Sequence, residues 1–276
     1  MTDFSHDALP MTGDGRSALD VALEATTTAG EIIRGGWDSD RQITFKGRAD
    51  IVTDIDVAAE KAVLEILTSA FPQFGILAEE SQPVAGASPY RWVVDPLDGT
   101  RNYAQSIPHF CTIVALAEED DIVAGVVYDP VREETFTAAK GQGAFLNGAP
   151  INVSETTEIA RSLLSFDLGY VDEKAGLAID MLRSLWPGMY SVRMMGSAGL
   201  GLAYAASGRV DLFFHHSLSP WDVAAGLVLA QEAGGRVVDR QGNKAGLFTP
   251  SVICSSPALV EGFLAATDGL PWRTAS

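Results

Sequence analysis

The stretch Trp92-Val-Val-Asp-Pro-Leu-Asp-Gly-Thr-Arg-Asn-Tyr103 (WVVDPLDGTRNY) puts two carboxylates three positions apart, directly after an apolar run and before a Gly-Thr pair. Trp92, Val93 and Val94 form a buried strand. Asp95 then emerges at its C-terminal edge, where ligand crevices open in α/β structures. Pro96 forces a turn, which lets Asp98 stand at the start of a short helix with the amides of Gly99 and Thr100 facing outward. Hard divalent cations take carboxylate oxygens, and a phosphate takes such amides, so a phosphate bridged to the chain by a cation satisfies both. D-P-x-D-G is equally good turn chemistry, with Asp98 as a cap and Gly99 relaxing the backbone.

Other acids converge on this reading. Glu79-Glu80-Ser81 follows the strand-like run GILA, so Glu79 can emerge beside Asp95 from a neighbouring strand end. Asp222 lies in SPWDVAAG, where Ser219, Pro220 and Asp222 read as a near capping box that also aims a carboxylate out of a helix start.

The rest of the chain supplies the frame. It has 276 residues, 47% hydrophobic and 20% charged, which suits one large unit or two closely packed halves. A net charge of −17, from 36 acids against 19 bases, disfavours nucleic acid and anionic membrane as partners. Cys111 and Cys254 sit far apart in apolar runs and read as buried free thiols. With no apolar signal core and no run long enough to span a bilayer, a cytoplasmic location is expected.

Residues 1–16 read as a flexible leader. Apolar spacing predicts a helix from Ser17 to Trp37, and a second over 54–70 capped by Thr53 or Asp54. Strands are expected at 75–79, 91–95, 110–118, 121–129 and 134–140, the pair 110–118 and 121–129 forming a hairpin. Beyond about residue 155 strands and helices alternate, with helices near 173–185, 197–206 and 220–233 and a last one from Pro257. The expectation is an α+β half over 17–155 joined to an α/β half over 156–276 in one compact unit.

Taken together, these segments resemble the inositol monophosphatase family of magnesium-dependent, lithium-sensitive sugar phosphatases. The matching pieces are Glu79-Glu80-Ser81, Asp95-Pro-Leu-Asp98-Gly-Thr100 and Trp221-Asp222-Val-Ala-Ala-Gly226. Lys46 with Asp50 and Asp56, Gly141 to Gly148, and Glu232 to Gly235 follow in family order, so the likeness covers about residues 17 to 266. It implies an α+β fold of αβαβα layers, as in the inositol monophosphatase and fructose-1,6-bisphosphatase type, usually paired as a homodimer. It implies two to three Mg2+ ions: Glu79, Asp95 and the Leu97 carbonyl on one, Asp95, Asp98 and Asp222 on a second, and Glu79 helping with a weaker third. Thr100 and Asp56 resemble the pair that orders the attacking water, which makes them, with Glu79, the catalytic set. Gly99 and Thr100 would hold the phosphate. The substrate expected is inositol monophosphate or a similar small phosphorylated polyol, hydrolysed by direct attack of water. Fructose 1,6-bisphosphate, histidinol phosphate and 3′-phosphoadenosine 5′-phosphate are the alternatives, and a regulatory partner with vestigial catalysis is the non-enzymatic one.

Three departures bear on the substrate. Ala78 precedes Glu79 where the family often has Gly, and Lys46 to Asp50 is one residue shorter than in some members. In FFHHSLSP, His215 stands where inositol-selective members commonly carry a glutamate; it reads as a ligand of the alcohol half or as a strand end. Gly196, Ser197, Ala198 and Asp222 are expected to line that half too, and Arg193 is either a cation facing substrate or half of a surface ion pair.

Overall fold

The structure is a computed structural model, and it describes residues 9–39, 41–47 and 50–274. The elements run α1 (Ala18–Gly35), β1 (Ile43–Phe45), β2 (Ile51–Thr53), α2 (Asp54–Ala70), β3 (Gly75–Ala78), β4 (Tyr90–Asp98) and α3 (Thr100–Ala104). Next come β5 (Cys111–Glu118), β6 (Asp121–Asp129), β7 (Glu134–Ala139), β8 (Gly143–Leu146), β9 (Ala149–Pro150), β10 (Leu163–Phe166) and α4 (Asp172–Leu185). The chain ends with β11 (Ser191–Arg193), α5 (Ala198–Ala206), β12 (Leu212–His215), α6 (Pro220–Glu232), β13 (Arg236–Val238), β14 (Val252–Ser255), α7 (Pro257–Ala266) and α8 (Pro271–Thr274).

Five layers result. A seven-stranded sheet, ordered β3-β4-β5-β6-β7-β8-β9, is antiparallel except at β3–β4. A five-stranded sheet is ordered β11-β10-β12-β14-β13, with β10, β11 and β12 parallel. Helices α1 and α2 cover the outer face of the first sheet, burying Val21, Ala25, Ile33, Val63 and Leu67 against Trp92 and Val114. Helices α5 and α6 fill the space between the sheets and touch both. They are apolar all round, as a doubly covered layer requires. On the far side α4, α7 and α8 bury Met181, Leu259, Phe263 and Trp272 over Phe214.

Small residues set the middle layer's spacing. A Cβ on Gly226 of α6 would lie 2.4 Å from Leu202 Cδ1 on α5, and one on Gly125 of β6 would lie 2.7 Å from Ala225 Cα. Glycine permits both approaches.

Several expectations change. Within the expected leader 1–16, Thr12 and Arg16 close a turn and the Ala18 amide donates to Pro10 O at 2.8 Å, while residues 1–8 lie outside the described ones. The loop around Lys46 is a hairpin of β1 on β2, in which Arg48 and Ala49 fall outside the described residues. Above all, β4 does not stop at Asp95. A bulge between Asp95 and Asp98 carries the strand through Pro96 and Leu97. Pro96 is tolerated because the ladder is already broken there. The cap of α3 is therefore Gly99, at φ 96°, and not Asp98. A side chain at Gly99 would also press on His109 O at 3.0 Å.

Candidate active site

The bulge sets two carboxylates of β4 on one side of the crevice, and the start of α6 brings in a third. Asp95, Asp98 and Asp222 each present an oxygen within 4.8 Å of the others. Asp95 is 1% exposed and Asp98 9%. Backbone amides orient all three. Leu97 N–H donates to Asp95 Oδ1 at 3.0 Å, and Ser219 N–H donates to Asp222 Oδ2 at 2.7 Å. Asp98 sits over the start of α5: its Oδ2 accepts from Ser197 Oγ (2.5 Å) and Gly199 N–H (2.8 Å), with Cys111 Sγ at 3.5 Å. The opposite oxygens of Asp95 and Asp222 have no hydrogen bond among the described residues.

Electrostatics make this cluster costly without a cation. Burial, then the charges of Glu79, Asp98 and Asp222, push the Asp95 carboxyl well above its usual range. Burial and Asp98 do the same to Asp222. Burial also raises Asp98, against the pull of Ser197 and the α5 amides. No lysine or arginine bonds to any of the three among the described residues. A largely buried group of like charges with free lone pairs and no bonded lysine or arginine among the described residues fits the hard-metal donor set.

The remaining expected residues divide. Glu79 is drawn to Lys46, whose Nζ lies 2.9 Å from Glu79 Oε1 and 2.8 Å from Glu80 Oε1. Burial raises Glu79 to about 7 despite that ammonium. Its charge acts on Asp95, although it is not one of the three clustered acids. Thr100 Oγ1 lies 2.9 Å from both Asp56 Oδ1 and the Leu97 carbonyl oxygen. Asp56 is fully buried, caps α2 through Thr53, and is pushed up to about 6 by burial. Gly99, Thr100, Gly196, Ser197, Ala198, His215 and Asp222 all line one pocket. Both cysteines are free and buried, and burial lifts the Cys111 thiol far above its ordinary range.

Arg193 is corrected. It does not line the pocket; it donates to Ser191 Oγ and Val192 O on exposed β11. In its place the pocket carries Arg101, Asp167, Gly169 and Tyr170, none of which was singled out from the sequence. A signal existed. Asp167 and His215 end the adjacent parallel strands β10 and β12 at their C-terminal edge, the same position that made Asp95 a candidate. Asp167 Oδ1 accepts from Met195 N–H (3.0 Å) and Gly196 N–H (2.6 Å), and burial pushes it up to about 7. His215 Nδ1 accepts from Ser217 N–H at 3.0 Å, and burial lowers its pKa to about 3, so the ring is neutral with its proton on Nε2.

With this geometry described, comparison with known proteins identifies the family. Residues 14–270 match the model of the inositol monophosphatase family. Inositol monophosphatase 3 of Solanum lycopersicum is 38% identical over 265 residues, covering 93% of this chain and 98% of the relative. Nus factor SuhB of Pasteurella multocida is 36% identical over 250 residues, covering 89% and 94%. The crystal structure of extragenic suppressor protein suhB from Bartonella henselae superposes with a TM-score of 0.87 at 34% identity, covering 91% of this chain and 98% of that one. The chain belongs to the inositol monophosphatase family, which implies a metal-dependent phosphatase, and its five-layer α+β fold is that of the family's solved structures.

Proposed function

We propose that the chain hydrolyses the phosphate monoester of a small polyol, inositol monophosphate or a close analogue, as an inositol-phosphate phosphatase. The observation that carries this reading is the convergence of Asp95, Asp98 and Asp222 within 4.8 Å, the first two buried and the third half-buried, without a basic partner among the described residues. These three, with Glu79 and the carbonyl of Leu97, would hold two to three Mg2+ ions. Bound there, the ions neutralise phosphate charge, acidify water and stabilise the departing alkoxide.

The chain's own groups do the rest. Thr100 Oγ1, hydrogen-bonded to Asp56, orients the attacking water, and Asp56, pushed up to about 6 by burial, is poised to take its proton near neutral pH. Gly99 and Thr100 bind the phosphate, while Gly196, Ser197, Ala198 and His215 form the side that receives the alcohol. Attack by water is direct, without a phosphoenzyme. Ser197 Oγ is committed to Asp98, and Cys111 is buried with its thiol held protonated, so neither serves as a nucleophile.

A homodimer follows from the family likeness. Trp186, Tyr190, Val192 and Met194, exposed at and beside the edge strand β11, offer apolar surface for it. Lithium sensitivity and a cytoplasmic location belong to the same reading; among the described residues no helix is long and apolar enough to cross a membrane. The Nus factor name of one relative bears on a second reading, a regulatory binding protein. The uncompensated acid cluster favours catalysis over it.

The test is phosphate release by the chelated and Mg2+-reloaded chain from inositol 1-phosphate, fructose 1,6-bisphosphate, histidinol phosphate and 3′-phosphoadenosine 5′-phosphate. Mg2+-dependent release supports the enzyme. Silence on every ester at saturating Mg2+ leaves the regulatory reading standing.

A further inference from the structure

The acids occupy only part of the pocket. The residues lining the remainder have a different character, set by Arg101, the only lysine or arginine that lines it among the described residues. Arg101 follows Thr100 in α3, is exposed, and has no hydrogen bond or ion pair with any carboxylate among the described residues. Its guanidinium carbon is held 4.7 Å from the centroid of the Tyr170 ring. That contact restrains the side chain without neutralising it. The Arg101 charge is felt by Asp167, Tyr170 and His215, so it projects into the pocket and not away from it.

Among the described residues no neighbouring carboxylate forms an ion pair with this charge. Asp167 is already bound by the amides of Met195 and Gly196. His215, close against Gly169 and lining the same pocket, carries its proton on Nε2, a neutral N–H donor, since its other nitrogen accepts from Ser217. An arginine fork and an imidazole N–H lining one pocket, in a chain of net charge −17, make a receptor for an anionic group.

We infer that Arg101 is a specificity-determining residue, selecting phosphate monoesters whose alcohol part carries a second anionic group, a carboxylate or another phosphate, that meets Arg101 while His215 donates a hydrogen bond. This deepens the phosphatase reading and rests on it.

Two matched pairs of esters test the inference and separate the two sources of charge. Glycerol 2-phosphate against 2-phosphoglycerate differs by one carboxylate. Inositol 1-phosphate against inositol 1,4-bisphosphate differs by one phosphate. For the Mg2+-loaded wild type, kcat/KM should favour the anionic member of at least one pair by about five- to tenfold, the scale of a charge-assisted contact in a half-open cleft. The preference should shrink as salt screens it. Arg101→Ala should bring the ratio to one or below, and Arg101→Lys, which keeps the charge, should retain a measurable preference.

The outcomes are distinct. Loss of activity in Arg101→Ala that is equal for both members of each pair overturns the inference, because Arg101 would then serve the scissile phosphate or the fold. A wild-type ratio at or below one in both pairs overturns it too, while leaving the phosphatase reading intact. No hydrolysis of any of the four esters defeats that reading, and this inference with it.

Discussion

Raising the pH of the metal-free protein from 5 to 8 should weaken its fold. Asp56 is raised from 3.8 to about 6, and Glu79 from 4.5 to about 7, chiefly by burial. Asp95 and Asp222 are raised further by burial and mutual repulsion. Below pH ~4 these groups are protonated in the folded and the unfolded chain alike, and the shift has no effect. Between about pH 4 and 7 the folded chain keeps protons that the unfolded chain has lost, so stability falls as pH rises through the folded values. For fully buried Asp56 alone, about 1 pH unit of the rise in pKa falls between pH 5 and 8, which at about 1.36 kcal/mol per unit amounts to about 1.4 kcal/mol over that range. At roughly 2 °C per kcal/mol for a chain of this size, that is a fall of roughly 3 °C in Tm, with the coupled acids adding in the same direction.

The assay is thermal unfolding in chelator at pH 5, 6, 7 and 8, repeated with saturating Mg2+. Ions at 100 times Kd add about 2.7 kcal/mol, most of it at the alkaline end, where the ligands are ionised. The two melting curves should therefore diverge with pH. Asp95→Asn, which removes one repelling charge, should flatten the chelated slope. A chelated Tm that is level or rising from pH 5 to 8 would show that the acids do not repel one another in the folded chain, and the electrostatic case for a cation site would fail.

Three further outcomes follow from the same geometry. Asp222→Asn should abolish Mg2+-dependent phosphate release, by roughly a thousandfold or more, while leaving the chelated Tm unchanged or higher; retained activity with a stability loss of ~1 kcal/mol would reduce Asp222 to a helix cap. Thr100→Val removes the hydroxyl bound to Asp56 at 2.9 Å, and kcat should drop about a hundredfold with KM little moved, whereas a change confined to KM would assign Thr100 to binding alone. Gly226→Ala forces a methyl to within 2.4 Å of Leu202 and should destabilise by about 1–3 kcal/mol; an unaltered Tm would mean that α5 and α6 are not held at contact distance.

Much of the site was legible because its chemistry sits in short, locally meaningful segments. Apolar runs ending in acids, at GILAE and WVVD, announced strand ends with exposed carboxylates, and SPWD announced a helix start. What misled was local turn grammar. Asp95-Pro-Leu-Asp98 reads as a turn into a capped helix, yet pairing with β5 extends β4 to Asp98 through a bulge, and Gly99 takes the cap. The β1–β2 hairpin escaped notice because its two strands are three residues each and mostly exposed. Arg193 attracted attention by lying near Gly196, but it sits on exposed β11, with its side chain bonded to Ser191 and Val192. Asp167 carried the same strand-end signal as Asp95, but packing between distant segments, which no local pattern reveals, is what joins it to Tyr170 and Arg101 in one pocket.

The sequence by itself determined the chemical alphabet: which segments would be strands or helices, and that carboxylates would stand at their ends, because apolar periodicity and capping act over a few residues. Only the tertiary structure decided which ends meet. Two sheets closing on one shared helical layer bring Asp222 to Asp95 and Asp98 from more than a hundred residues away, and the same closure places Arg101 over Tyr170. Strand pairing and helix packing fix such long-range neighbours, and a carboxylate's effect on another depends on that distance and burial, which no local pattern encodes.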